Sequence, residues 1–547
     1  MVNFNNLNPF NKREEHVTNT AVDSDDQSIE TTGNGKEIGV ISAIFLIFNR
    51  MVGTGIFATP SSIYNNSGSV GASLMIWFAG SIIAASGLMV YLEWGSALPQ
   101  NGGEKNYLAY FYRKPKFLVS SMFASYVFLL GWAASNSVVF GEYILVAAGK
   151  EVDRWNQRGI GLACITFAFL VHSTSVKWGL RLQNLLGLFK FGVIAVIVIA
   201  GWVALSGRLN IEPTHAFTDS FTGHTPTGYG IVMALYNVIW SFIGYSNANY
   251  ALGESKNPNR ILKIAAPVAL VSVAILYMFV NIAYFAVVPA ETISTSGRIL
   301  AANFFSIVFG KQAEKALSVF VALSALGNVL SVIFSQGRIV QELGRDGILP
   351  FSRIWKSSKP FNTPLAGLFE HWVVSIIIML APPPGDAYNF ILNLISYPLS
   401  CVNAAIALAL IILTVRRKHY NWNPPIKATL PVSIFFFLSS LYLVVAPFLA
   451  PSTPEENVYN DLPYYLHCVV GIALFGAGVI YWAIRFHILP RFFESLIPDE
   501  SLSNTGPRTH INKEDLTWDP SSSHPDASGI DQEKLSATRV NNPPNLC

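Results

Sequence analysis

Charged residues are scarce in this chain, and their scarcity excludes an ordinary soluble domain. Asp, Glu, Lys and Arg make up 13% of the 547 residues, whereas soluble domains carry roughly 25%. Hydrophobic residues make up 51%. They form continuous runs of about 20 residues rather than the alternating pattern of a transmembrane barrel. The composition therefore predicts an all-α polytopic membrane protein.

Cysteines and catalytic motifs are scarce as well. The four cysteines show no CxxC spacing, so neither a zinc site nor a disulfide framework is predicted. The chain has no Walker-type phosphate loop, which argues against an ATP-driven pump. No constellation of catalytic or metal-ligating residues supports a membrane enzyme. We therefore expect no enzymatic activity, no metal and no cofactor.

The two ends of the chain differ from its apolar centre. Residues 1–37 and 491–547 are polar and carry a net charge of −4 each, which leaves +11 for residues 38–490. Acidic tails of this kind cannot bury enough apolar surface to fold alone, and their sign argues against nucleic-acid binding. The first 37 residues do not resemble a signal peptide. We expect two disordered tails on either side of one membrane domain, 38–490.

Apolar runs between polar breaks predict twelve transmembrane helices within a lipid bilayer. The predicted spans are 38–64, 70–98, 118–148, 158–176, 181–206, 227–252, 261–289, 314–344, 364–382, 386–416, 427–450 and 463–487. The loops on the side of the two tails hold 17 Lys and Arg residues, and the opposite loops hold seven. Because basic residues concentrate in cytoplasmic loops, both termini are predicted to be cytoplasmic.

Two of the predicted spans are interrupted by glycine and polar residues. The first contains FNRMVGTGIFATP and the sixth contains NVIWSFIGYSNANYALGE. The sixth lies five spans beyond the first, so the two run in opposite directions through the bilayer. This pattern indicates a five-plus-five inverted repeat, about 38–206 and about 227–416, with a binding site near the midplane. Helices 11 and 12 follow at about 427–487.

Broken helices suggest a ligand because backbone groups in hydrocarbon must be satisfied. At Gly53-Thr54-Gly55, the half-helix that follows offers free N–H groups and a positive dipole end, which suit a carboxylate. Glycine also lets a ligand approach the backbone. The half-helix before a break offers free carbonyls, which suit an ammonium group. Two opposed breaks can thus hold both ends of a zwitterion. The alternative interpretation is that the glycines serve close helix packing.

The motifs at these breaks carry a family resemblance. GTGIF and WSFIGYSNANYALGESKNP, with YLEWGSALPQNGGEKNYL, RLQNLLGLFK and SALGNVLSVIFSQGRIVQELGRDGILP, resemble the amino acid–polyamine–organocation superfamily over roughly 38–490. Within it the chain resembles the L-type amino acid transporter branch, and FNRMVGTGIFATPSSIY is very similar to fungal methionine permeases. The resemblance implies the fold of sodium-coupled amino acid transporters, with the substrate between the first, third, sixth and eighth spans.

The resemblance also implies roles for individual residues. Backbone N–H groups of the first span's second half would bind the substrate carboxylate, and carbonyls of Met51, Trp240 and Ile243 would bind its ammonium group. Trp240 would cover the substrate as a gating aromatic. The implied substrate site comprises Met51, Gly53, Thr54, Gly55, Ile56, Trp240, Ile243 and Gly244.

Charged residues inside membrane spans are candidates for function. The resemblance implies that the ammonium of Lys190 replaces a sodium ion of related transporters, ties the fifth span to the first and takes part in coupling. The alternative is a lysine that snorkels to the membrane surface. Arg50 departs from the wider family. It either gates an inner vestibule by pairing with an acid or satisfies carbonyls freed by the break; the candidate acids are Glu93, Glu142 and Glu254. For Glu93 itself, packing is the expected role.

Together these features predict a secondary active transporter that imports a neutral L-amino acid across the plasma membrane. The resemblance implies methionine or a related sulfur amino acid, with a proton as the coupling ion and alternating access as the mechanism. Two alternatives stay open: an amino acid sensor or transceptor of the same fold, and an exchanger of broader specificity. The tails, with Lys12 and Lys36, are candidate targets of the ubiquitin-ligase machinery that removes fungal permeases.

Overall fold

The computed structural model describes residues 40–492, except 210, 213, 255–256, 384 and 454–455, and this part of the chain is helical without strands. The all-α class is therefore confirmed. The predicted tails, with Lys12 and Lys36, lie almost entirely outside the described residues. The α-helices are α1 (Val40–Met51), α2 (Gly55–Ala58), α3 (Pro60–Ser67), α4 (Val70–Ala97), α5 (Glu104–Phe111), α6 (Leu118–Leu129), α7 (Ala134–Ala147), α8 (Arg154–Thr174), α9 (Val176–Leu205), α10 (Gly228–Phe242), α11 (Pro258–Val287, with a π turn at Ile261–Ala265), α12 (Ala290–Thr295), α13 (Leu300–Phe309), α14 (Lys311–Arg345), α15 (Ser352–Trp355), α16 (Leu365–Leu380), α17 (Ala387–Val415), α18 (Arg417–Tyr420), α19 (Leu430–Val445), α20 (Leu466–Ala483) and α21 (Leu489–Phe492).

Within the described ranges, eight helices are long and apolar enough to cross a membrane, or nine if the bent pair Ala43–Ala58 and Pro60–Ser67 forms one span. A helix lies at each of the twelve predicted positions, but α8, α10 and α16 do not meet that test of length and apolarity. The count of twelve spans therefore stays a prediction. The bend of 57° in the first span lies between Ala58 and Pro60, beyond the unwound residues 52–54.

Large apolar side chains cover the outside of the helix bundle. Leu188, Ile199, Ile377 and Ile480 are each more than half exposed. Water would penalise such a surface, whereas the hydrocarbon of a bilayer accommodates it. The protein is thus an integral membrane protein.

The ends of the helices around the breaks follow from local sequence. Pro60 opens α3, where its missing N–H would be unpaired in any case, and Gly68 ends α3 at φ 78°. Thr227 caps α10 by accepting a hydrogen bond from the N–H of Gly230 at 3.1 Å, which satisfies a free donor of the first turn. These caps fix the outer ends of the two broken spans.

Packing brings the two breaks together inside the bundle. Helix α1 packs against α9, α11 and α14, while α10 packs against α3 and α4. A buried aromatic cluster joins these elements: the rings of Trp77 and Phe242 lie 5.6 Å and 5.2 Å from the ring of Tyr277. The cluster links α4, α10 and α11 next to the breaks, and so gives the unwound segments a rigid surround.

Candidate functional site

The first break lies between Met51, where α1 ends, and Gly55, where α2 begins. The N–H of Gly53 bonds back to the carbonyl of Met51 at 2.8 Å. Beyond it, the N–H groups of Thr54, Gly55 and Ile56 donate to no acceptor within the described part of the chain. Because free N–H groups at a helix start attract anions, these three groups are available to a carboxylate.

The second break follows α10, which ends at Phe242, and precedes the 3-10 helix Asn247–Glu254. Gly244 lies at φ +123°, a conformation that side chains rarely adopt, and a Cβ on it would stand 2.5 Å from Cγ of Arg50. The two breaks are therefore in direct contact. The carbonyl of Trp240 accepts a bond from the N–H of Ile243 at 3.1 Å, which leaves one of its lone pairs free.

Lys190 lies on α9 and faces the first break. Its side chain is fully buried, and its ammonium group donates to the carbonyls of Asn49 at 2.9 Å and Val52 at 2.7 Å. The ammonium thus points to the break rather than to the membrane surface, and it satisfies two carbonyls that unwinding had freed. The tie between the fifth and first spans is present; the coupling role stays a prediction.

Tyr277 on α11 lies between the two broken spans. Its hydroxyl lies 2.9 Å from the carbonyl oxygen of Met51 and 3.0 Å from that of Ser241. The Met51 oxygen also accepts from the N–H of Gly53, so it keeps a free lone pair only when Tyr277 donates to Ser241 instead. The role of the Met51 carbonyl in binding the substrate ammonium stays a prediction, beside that of Trp240 and Ile243.

An amide network connects the first break to the third and eighth spans. The hydroxyl of Thr54 donates to Oδ1 of Asn136 at 2.7 Å, and Nδ2 of Asn136 donates to Oδ1 of Asn328 at 3.2 Å. Nδ2 of Asn328 then donates to the carbonyl of Arg50 at 2.9 Å. Sequence reasoning did not single out either asparagine. The available signal was an amide inside an apolar run, which is costly in a membrane unless it has a partner.

Arg50 contacts the same amide network. Its guanidinium donates to Oδ1 of Asn328 at 3.2 Å, and no acidic group of the described side chains lies within 4 Å of it. Of the predicted acids, Glu142 is paired with Arg298 at 2.6 Å, and the side chain of Glu254 lies outside the described set. Among the described residues Arg50 thus contacts neither an acid nor a freed carbonyl but the amide of Asn328, and the choice between its two predicted roles stays open.

Glu93 is bound away from the breaks. Its carboxylate accepts from the indole of Trp422 at 2.8 Å, the N–H of Ala428 at 2.7 Å and the guanidinium of Arg417 at 3.3 Å. These bonds fasten the inner end of α4 to the segment before α19. Glu93 therefore packs as expected and is no partner of Arg50.

The glycines of the first break pack tightly against other spans. A Cβ on Gly53 would stand 2.5 Å from Nδ2 of Asn328, and a Cβ on Gly55 would stand 2.4 Å from the Oγ atom of Ser241. Contacts this short exclude a side chain. On this face Ser241 fills the space beside Gly55, which fits the alternative interpretation that the glycines serve close helix packing. The N–H of Gly55 is unaffected by this packing.

A further polar group at the site escaped sequence reasoning. The hydroxyl of Tyr388 on α17 lies beside Thr54 and Trp240, is buried, and makes no hydrogen bond within the part of the chain that the structure describes. A buried hydroxyl without a partner is costly, so a ligand that bonds it would recover that cost. Trp240, the predicted gating residue, is itself 8% exposed.

A small cavity of about 50 Å³ adjoins the second break. Arg50, Ile239, Ile243 and Gly244 line it on the side of the breaks, and Glu104 lines it on the far side. A space of this size holds a few waters rather than an amino acid. The cavity beside the second break therefore has no room for a substrate in this conformation.

Comparison with known proteins gives these features a family. The amino acid permease family model matches residues 38–475. The high-affinity methionine permease of Saccharomyces cerevisiae is 53% identical over 509 residues, which cover 89% of this chain and 88% of that protein. The low-affinity methionine permease of the same yeast is 32% identical over 477 residues, 85% of each chain. The b(0,+)-type amino acid transporter 1 of Mus musculus is 29% identical over 460 residues, 83% of this chain and 88% of its own. The chain therefore belongs to the amino acid permease family.

Proposed function

We propose that this permease imports methionine or a related neutral sulfur amino acid by proton symport with alternating access. Relatives across most of the chain are permeases and transporters, so the protein is an amino acid transporter and not an enzyme. The observation that carries the proposal is the direct contact of two buried breaks, one with free N–H groups and one with free carbonyl capacity. The names of the two yeast relatives support methionine as the substrate.

The proposed architecture has twelve spans, with a five-plus-five inverted repeat at about 38–206 and 227–416 and two further helices at about 427–487. A helix at each predicted position supports this count. The excess of Lys and Arg in the loops on the side of the tails supports cytoplasmic termini, and a place in the plasma membrane is part of the same proposal. The tails 1–37 and 491–547 are proposed as the regulatory segments that ubiquitin-ligase machinery binds.

The proposed substrate pose uses backbone groups at both breaks. The carboxylate lies at the free N–H groups of Thr54, Gly55 and Ile56, where the dipole of α2 adds positive potential. The ammonium lies at the carbonyls of Trp240 and Ile243, and the indole of Trp240 closes over the substrate. A site built on main-chain groups recognises the zwitterion shared by all amino acids.

The side chain of the substrate is proposed to point toward apolar surface. Val127, Ile239 and Ile339 line the cavity next to the breaks, and such a lining favours an uncharged side chain. The free hydroxyl of Tyr388 is available to donate a hydrogen bond to the substrate carboxylate. It can donate only weakly to the thioether, because sulfur is a poor acceptor. Lys190 is proposed to hold the first break in its unwound form, in the place that sodium takes in related transporters.

The test is uptake by purified full-length protein in liposomes, with labelled methionine and with or without an acidic exterior. Accumulation driven by the proton gradient is the expected result. Exchange whose rate does not depend on the proton gradient would support the exchanger alternative and refute symport. Binding without transport would favour the sensor. Competition by a panel of amino acids then defines the side chain.

A pair of tryptophan variants sharpens the same test. In Trp240→Ala, unlabelled methionine is expected to compete less effectively with labelled methionine for uptake, because the proposed cover of the substrate is removed. Trp202→Ala is the matched control, since Trp202 lies on the outer face of α9 and is 54% exposed. Equal loss in both variants would indicate general damage to the fold rather than a gate at Trp240.

A further inference from the structure

Glu104 is a buried acid that the proposed substrate site does not use. It begins α5, between two membrane spans, and it is 3% exposed. Its Oε1 atom lies 3.0 Å from the hydroxyl of Tyr91 and 2.8 Å from that of Tyr250. Its Oε2 atom is buried and has no hydrogen-bond partner among the described residues. An ionised carboxylate would leave that oxygen desolvated and unpaired at high cost.

The hydrogens of this cluster favour a protonated carboxyl. The hydroxyl of Tyr91 has one hydrogen but two acceptors, Oε1 of Glu104 at 3.0 Å and Oδ1 of Asn403 at 2.8 Å. If Tyr91 donates to Asn403, the remaining contact is a hydrogen bond only when Glu104 donates its own proton to the tyrosine oxygen. If Glu104 is ionised, Tyr91 must turn to the carboxylate and Asn403 must give up its bond or rotate its amide. With Asn403 oriented so that its Oδ1 accepts from Tyr91, the bond from α4 to α17 goes with a proton on Glu104.

The residues around Glu104 belong to separate elements that line the cavity. Tyr250 lies on the 3-10 helix that follows the second break, Tyr91 lies on α4 and Asn403 lies on α17. All three residues and Glu104 line the cavity next to the breaks. The cluster therefore joins the second half of the broken sixth span to the rest of the bundle.

The residues around Glu104 do not supply a cation that would balance a negative charge on its carboxylate. The neighbouring Lys105 is bound to Asp346 at 2.6 Å, and within the described residues no Lys, Arg or His nitrogen lies within 4 Å of the Glu104 carboxyl. Burial raises the pKa of Glu104, although hydrogen bonds from Tyr250, from its own backbone N–H and from Tyr91 act in the opposite direction. The titratable and charged groups that face it from the surrounding elements are Tyr91, Tyr107, Tyr126, Tyr245, Tyr250 and, across the cavity, Arg50.

We infer that Glu104 is a proton-binding site of the transporter, whose protonated form holds the cavity closed. When the cavity opens, the O–H bond of the carboxyl breaks, the proton passes to water, and the hydroxyl of Tyr91 turns from Asn403 to the carboxylate. Tyr250 then remains the donor that stabilises the anion. The inference rests on the proposed proton symport for its role in transport, but the proton on Glu104 can be observed separately.

The direct test is infrared spectroscopy of the purified full-length protein as a function of pH. The carbonyl stretch of a protonated carboxyl is expected to titrate in the wild type and to be lost in Glu104→Gln. Glu370→Gln is the matched control: Glu370 is 6% exposed, its two oxygens have no partner among the described residues, and it does not line the cavity. The inference is overturned if Glu104→Gln removes no titrating carbonyl band from the wild-type spectrum, or if Glu370→Gln removes the same band.

Two further measurements separate this site from the proposed symport. In Tyr250→Phe the band should persist to higher pH, because a donor to the anion is lost; an unmoved titration would contradict the assigned cluster. In liposomes, proton uptake that accompanies methionine import should be lost in Glu104→Gln and kept in Glu370→Gln. Wild-type import without proton uptake would refute symport. The infrared titration would still test the proton on Glu104 independently. Size-exclusion elution shows whether each variant is folded.

Discussion

Replacing Lys190 by methionine tests how much the first break depends on one ammonium group. Methionine keeps much of the apolar stem and removes the charge and the donors. The structure shows two bonds, to the carbonyls of Asn49 at 2.9 Å and Val52 at 2.7 Å. Hydrogen bonds to charged groups contribute about 1.5–3 kcal/mol each. Lys190→Met should therefore remove roughly 3–6 kcal/mol of the free energy that stabilises the break.

This free energy should appear in both the stability and the affinity of the protein. If all of it reached the affinity for methionine, the dissociation constant would rise about 100-fold or more, at about 1.4 kcal/mol per tenfold. We expect a lower thermal unfolding midpoint in detergent, together with loss of measurable methionine binding. Thermal unfolding with and without methionine, followed by uptake in liposomes, measures both effects on the same preparation.

The control for this prediction is another buried lysine whose loss does not touch the break. Lys105 is 3% exposed and is paired with Asp346 at 2.6 Å. Lys105→Met should lower the unfolding midpoint while leaving the affinity for methionine unchanged. If Lys190→Met has the midpoint and the affinity of the wild type, the reasoning that assigns these two bonds to the geometry of the break is refuted.

Three substitutions at the breaks give further expected outcomes. Gly53→Ala places a Cβ 2.5 Å from Nδ2 of Asn328 and should weaken methionine binding by disturbing the amide network, as titration calorimetry would show; unchanged binding would contradict the network. Gly55→Ala meets the Cα of Ser241 at 2.8 Å and should cost about 1–3 kcal/mol of stability by overpacking, visible as a lower unfolding midpoint. Trp240→Phe should retain transport that Trp240→Ala loses in the uptake assay, because an aromatic ring can still cover the substrate.

The sequence predicted the helices and the two breaks because both follow from local chemistry. Continuous apolar runs can only be helical in a membrane, and a glycine pair with polar neighbours marks where such a helix unwinds. Thr54 and Gly244 therefore lie in unwound segments as expected. The contact of Lys190 with the first break was available only through the family resemblance, since its position ten residues into an apolar run equally suits a snorkelling lysine.

The parts of the site that sequence reasoning missed depend on tertiary contacts. Asn136 and Asn328 meet because α7 packs against α14, and no local pattern specifies that register. The carbonyl of Met51 shares the hydroxyl of Tyr277, 226 positions away, with the carbonyl of Ser241, and no local pattern predicts that contact. Glu104 stood in a polar loop motif where an acid is ordinarily solvated, and its burial arises from aromatic rings on three other elements.

The hydroxyl of Tyr277 has a mechanical consequence for a transporter that rocks. It faces the carbonyls of Met51 and Ser241 at nearly equal distances, 2.9 Å and 3.0 Å, and it can donate to only one at a time. A movement that draws the first span away from α11 can be matched by a rotation of this hydroxyl toward the sixth span. The number of hydrogen bonds that this hydroxyl makes is then the same before and after the movement, so a displacement of either span need not cost this bond.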